Sequence, residues 1–94
     1  MSESGAKAVR LTIRGRVQGV GFRWHVREAA RRASVAGWVR NCPDGSVEVL
    51  VAGDPAAVDR VVEAARTGPP AARVDAVEVQ PEPGAQVPPT FTMK

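Results

Sequence analysis

From Ala8 to Arg14 the apolar residues Val9, Leu11 and Ile13 alternate with Arg10 and Thr12, which predicts a strand with one buried face. The period then lengthens. Phe22, Val26, Ala29, Ala30 and Ala33 fall on one stripe of an amphipathic helix, and Arg31 and Arg32 suit the negative end of its dipole. Strand character returns from Val35 to Asn41. Pro43-Asp44-Gly45 is turn chemistry, and Val47, Val49 and Val51 alternate after it, so residues 35–52 read as a β-hairpin. Asp54 is placed to cap a second helix, with Pro55 at its first position and Val58, Val61, Val62 and Ala65 on its buried stripe. Thr67-Gly68-Pro69-Pro70 ends that helix. Residues 73–80 alternate again as a strand. Four prolines and a glycine make 81–89 a loop, and residues 90–94 form a short last strand anchored by Phe91 and Met93.

The order is β-α-β-β-α-β with one added terminal strand. It predicts an α+β, ferredoxin-like sandwich: a mostly antiparallel sheet with two helices on one face. Ninety-four residues, 44% of them hydrophobic, suffice for one domain spanning 1–94, with residues 1–7 as a flexible N-terminal tail. That fold hosts many unrelated functions, so function must come from a site.

The sequence excludes several classes of site. Cys42 is the single cysteine and closes no internal bridge, and with one histidine, His25, there is no cluster to cage zinc. No segment approaches the ~20 apolar residues of a membrane span and no apolar leader opens the chain, so a soluble, cytoplasmic protein is expected. Charge is uneven. Residues 1–47 carry Lys7 and eight arginines against Glu3, Glu28 and Asp44, a balance of +6, whereas 48–94 are acidic at −3. Guanidinium matches phosphate and carboxylate oxygens, so an anionic partner and a merely solvated arginine-rich surface both fit the count.

Chemistry concentrates where the first strand meets the first helix, in Gly15-Arg16-Val17-Gln18-Gly19-Val20-Gly21-Phe22-Arg23. Three glycines permit close backbone approach, and successive N–H groups at a helix N-terminus suit an anion. Arg23, in the first helical turn, is placed to fold back and hold two oxygens. The alternative is a glycine-rich turn with a solvent-facing arginine. The spacing is neither G-x-G-x-x-G nor a nucleotide P-loop, and no phosphate loop follows Cys42. Asn41, by itself, is as well read as a turn former before Pro43-Asp44-Gly45. His25 lies off the apolar stripe and is read as exposed, without a role. Trp24 and Trp38 are read as partly buried packing residues in preference to stacking platforms.

Ile13 to Arg23 resembles the first signature of the acylphosphatases, and Gly37-Trp38-Val39-Arg40-Asn41 with Gly45, Val47 and Gly53 resembles the second. The likeness extends through Gly68-Pro69-Pro70-Ala71-Ala72-Arg73-Val74 to Phe91-Thr92-Met93. It implies a cofactor-free, metal-independent hydrolase of acyl phosphates. In that reading Arg23 and the backbone of Arg16, Val17, Gln18, Gly19, Val20, Gly21 and Phe22 bind the phosphoryl group, and Asn41 orients the attacking water. The partners implied are a small-molecule acyl phosphate and inorganic phosphate as product and competitive ligand, for a monomer that binds neither nucleic acid nor membrane. Cys42 departs from relatives that carry a hydroxyl residue after the asparagine, which weakens a supporting hydrogen bond there. The competing readings are a phosphate- or carboxylate-binding module without turnover, which has no need of Asn41, and an RNA-binding domain. The latter lacks stacking aromatics on its third strand, Ser46 to Ala52.

Overall fold

The computed structural model describes residues 6–94. Its elements run β1 (Lys7–Arg16), α1 (Phe22–Arg32), β2 (Ala36–Asn41), β3 (Val47–Gly53), α2 (Pro55–Thr67), β4 (Arg73–Pro81) and β5 (Thr92–Met93). The strands form one sheet in the order β4-β1-β3-β2-β5, antiparallel except for β5, which joins β2 in parallel through Trp38–Thr92 and Val39–Met93. This is the expected ferredoxin-like α+β sandwich. Of the expected N-terminal tail, residues 1–5 lie outside the described residues, and Lys7 is already in the ladder opposite Gly53.

The alternation in β1 and β3 translates directly into layers. Val9, Leu11, Ile13, Val47, Val49 and Val51 are buried with Val39 under Phe22, Val26 and Ala30 of α1 and Val58, Val61, Val62 and Ala65 of α2. The helices are further joined by His25, which is partly buried and meets the Ala64 carbonyl at 3.0 Å through Nε2, contrary to its expected exposure. Asp54 occupies the N-cap of α2 but makes no side-chain capping bond, and its carbonyl accepts the Val58 N–H at 2.9 Å. Phe91 is buried, as an anchor must be. Met93, expected to share that role, is 41% exposed.

Gly37 shows how tightly β2 and β3 approach. Its φ is +136°, and a Cβ there would stand 1.9 Å from the Leu50 carbonyl oxygen. Neither backbone can retreat without breaking the ladder. Gly37→Ala is expected to destabilise the protein by at least about 3 kcal/mol, combining left-handed strain with overpacking, read as a lowered urea midpoint.

On the open face of the sheet, Glu48 joins Arg10 (2.5 Å) and Arg40 (2.7 Å), and Arg10 also reaches Glu82 (2.8 Å). These cations, with Lys94, surround the ring of Trp38, which is buried opposite Leu50. Burial pushes the Glu48 carboxyl up, but the hydrogen bonds from Arg10 and Arg40 outweigh it and hold the pKa below its ordinary 4.5. A folded-state pKa below the unfolded one stabilises the fold above pH 4.5, and that stability is lost as pH falls through the folded value. Urea titrations from pH 7 to pH 3 are therefore expected to show an acid limb that Glu48→Gln makes shallower.

Candidate active site

The loop between β1 and α1 turns twice through left-handed backbone, at Gly19 (φ +75°) and Gly21 (φ +79°). Gly21 is also the N-cap of α1 and has no side chain to offer the first helical N–H groups. Those groups have no partners within the helix, and the positive end of the helix dipole adds to them. A side chain is sterically free at both glycines, with no atom within 4 Å of an added Cβ, so the requirement here is conformational.

This loop opens one wall of a pocket of about 170 Å³. Val17, Gly19 and Gly21 line it from the loop, Phe22, Arg23 and Trp24 from the first turn of α1, Asn41 from the end of β2, and Met93 from β5. Arg23 and Asn41, eighteen positions apart in sequence, thus face one space. Arg23 donates from Nη1 to the main-chain oxygen of Lys94 at 2.5 Å, and the rest of its guanidinium fork retains donors for an anion. Arg31, two turns further along α1, approaches the Phe91 carbonyl at 3.4 Å, so α1 secures the terminal segment at two points.

Three residues of the expected phosphate loop do not line the pocket. Arg16 ends β1 and is exposed, while Val20 packs partly buried against the core. Gln18 points elsewhere. Its Nε2 donates to the carbonyls of Cys42 (2.7 Å) and Ser46 (2.9 Å), tying the loop to the turn that follows Asn41. That turn is independently closed by the Cys42 N–H to Ser46 carbonyl bond at 2.8 Å and by Asp44, which accepts from the Ser46 hydroxyl (2.6 Å) and N–H (2.9 Å). The same two bonds hold the Asp44 carboxyl below its usual range.

The sequence reading missed two pocket residues. Trp24 is 56% exposed at the pocket wall, where packing was expected, and Met93 joins the site only because β5 lies beside β2. An indole one residue beyond Arg23 was a usable signal for the first. No local signal marks the second.

The chain matches the family model for acylphosphatase over residues 9–93. It is 65% identical over 72 residues to an acylphosphatase of Nitrobacter hamburgensis, covering 76% of this chain and 72% of that one. An acylphosphatase of Thermococcus kodakarensis is 56% identical over 70 residues, covering 74% of this chain and 77% of its own. The crystal structure of acylphosphatase from Bacillus subtilis superimposes with a TM-score of 0.88 at 37% identity, over 93% of this chain and 97% of that one.

Proposed function

This chain belongs to the acylphosphatase family and is an acyl phosphate hydrolase, and from that premise we propose how its pocket carries out the reaction. The observation that carries the proposal is the convergence of Arg23, Asn41 and the Gly19–Gly21 backbone on one space.

The phosphoryl group sits against the loop N–H groups and the Arg23 guanidinium, whose planar fork suits two oxygens at once. Asn41 holds a water in line with phosphorus through an amide that both donates and accepts. The water oxygen bonds to phosphorus as the bond from phosphorus to the bridging oxygen breaks. The acyl group leaves as a carboxylate, and the proton from the water passes to a phosphate oxygen. Carboxylate is a good leaving group, so positioning and charge stabilisation suffice and no strong base is required. Arg23 supplies positive charge that a divalent cation provides in many other phosphoryl-transfer sites, and we assign the reaction to the protein groups alone.

The pocket draws on the β1–α1 loop, α1, β2 and β5, and we take the protein to act as a monomer built on one domain. Among the described residues no helix is long and apolar enough to cross a membrane. The free thiol of Cys42 fits a reducing, cytoplasmic setting. Inorganic phosphate, the product, fits the same cradle and is a competitive inhibitor.

The test is hydrolysis of benzoyl phosphate, followed by ultraviolet loss, after exhaustive treatment with EDTA. Turnover is expected to be undiminished and competitively inhibited by inorganic phosphate. A strict requirement for a divalent ion would overturn the assignment of charge stabilisation to Arg23 and the loop.

A further inference from the structure

Among the described residues three large hydrophobic side chains are exposed: Trp24 (56%), Val79 (41%) and Met93 (41%). A single exposed apolar residue is ordinary. Here two of the three line the same pocket, the one that also contains Arg23 and Asn41. Val79 lies apart, in a depression shared with Lys7, Asp59 and Glu63, where Lys7 already pairs with Asp59 at 2.7 Å.

Trp24 has no part in the packing of its helix, because the buried positions of α1 are Phe22, Val26 and Ala30. The polar work of the pocket is also accounted for by other groups. The loop and Arg23 take the phosphoryl oxygens, and Asn41 takes the water. What remains of an acyl phosphate is the acyl group, which must project from the phosphoryl site. In-line displacement places the leaving oxygen on the side of phosphorus opposite the attacking water. Asn41 stands at the end of β2, and the start of α1, where Trp24 follows Arg23, supplies another wall of the same pocket.

We propose that Trp24, assisted by Met93, binds the acyl half of the substrate, so that the enzyme favours acyl phosphates whose acyl group is aromatic or bulky and apolar. The inference rests on the reaction assigned above and adds a substrate class to it. An indole face stacks on an aryl ring or covers an alkyl chain, and neither contact has a counterpart with a lone methyl group. Selectivity of this kind appears in the comparison between substrates, not in the chemistry common to all of them.

The experiment measures kcat/KM for benzoyl phosphate and for acetyl phosphate in the wild type, Trp24→Ala and Trp24→Phe, with Tm determined for each. The wild type is expected to prefer benzoyl phosphate. Trp24→Ala is expected to reduce the benzoyl-to-acetyl ratio about tenfold, the size of an aromatic contact, while Trp24→Phe retains most of it. An unchanged ratio in Trp24→Ala overturns the inference, including the case in which both substrates suffer equally alongside a lowered Tm. A wild type that hydrolyses neither substrate would instead overturn the reaction itself.

Discussion

Arg23→Ala is expected to lower kcat/KM for any acyl phosphate by about two to four orders of magnitude and to weaken inhibition by inorganic phosphate in parallel. Two charge-assisted hydrogen bonds are lost, each worth about 1.5–3 kcal/mol, and every tenfold in rate corresponds to about 1.4 kcal/mol. Both the bound substrate and the transition state carry the phosphoryl charge, so KM and kcat are expected to move together. Arg23→Lys keeps the charge but loses the planar fork, and is expected to recover only part of the loss. The bond from Arg23 to the Lys94 oxygen is also removed in the alanine variant, so a thermal melt belongs beside the kinetics. Unchanged kinetics in a folded Arg23→Ala protein would remove this residue from the site.

Asn41→Ala has a different signature. The water is misplaced while the phosphate cradle is intact, so kcat is expected to fall about 10²–10³-fold, comparable to loss of one positioned donor at a reacting centre. The inhibition constant for inorganic phosphate is expected to stay at its wild-type value. Asn41 is exposed at the last position of β2, so the fold does not depend on packing of its side chain. Asn41→Asp sharpens the test by adding negative charge beside the phosphoryl group, and phosphate inhibition weakens there as well. If Asn41→Ala instead abolished phosphate binding, the residue would belong to the cradle, and the water would need another partner.

The two variants rest on residues that were legible in different degrees. Both helices and the first four strands follow from side-chain period, because burial on one face imposes a repeat of two on a strand and 3.6 on a helix. The loop from Gly15 to Arg23 stood out for its glycines, and the resemblance gave Arg23 and Asn41 their roles. What the period could not show was adjacency. Strand order β4-β1-β3-β2-β5 and the parallel pairing of β5 with β2 are tertiary facts, and they alone bring Met93 to the pocket. The same limit explains His25 and Gln18. His25 was expected to be exposed and Gln18 to serve the phosphate loop through its backbone, and each side chain has a carbonyl partner supplied by a distant element: Ala64 for His25, Cys42 and Ser46 for Gln18. Asp54 failed in the opposite sense. Its position was right, but a local capping preference did not become a side-chain bond.

The contrast between the two tryptophans has an optical consequence. The chain contains no tyrosine, so its near-ultraviolet emission comes from Trp24 and Trp38. Trp38 is 9% exposed and shielded by Arg10, Arg40 and Lys94, whereas Trp24 is largely open to water at the pocket wall. A hydrated indole emits further to the red and is reached first by a dissolved quencher such as iodide. The two fluorophores are thus separable without labels, and the accessible one lines the pocket proposed to bind substrate. Filling the pocket changes the solvent around that indole, which gives the protein an intrinsic signal for occupancy of its own site.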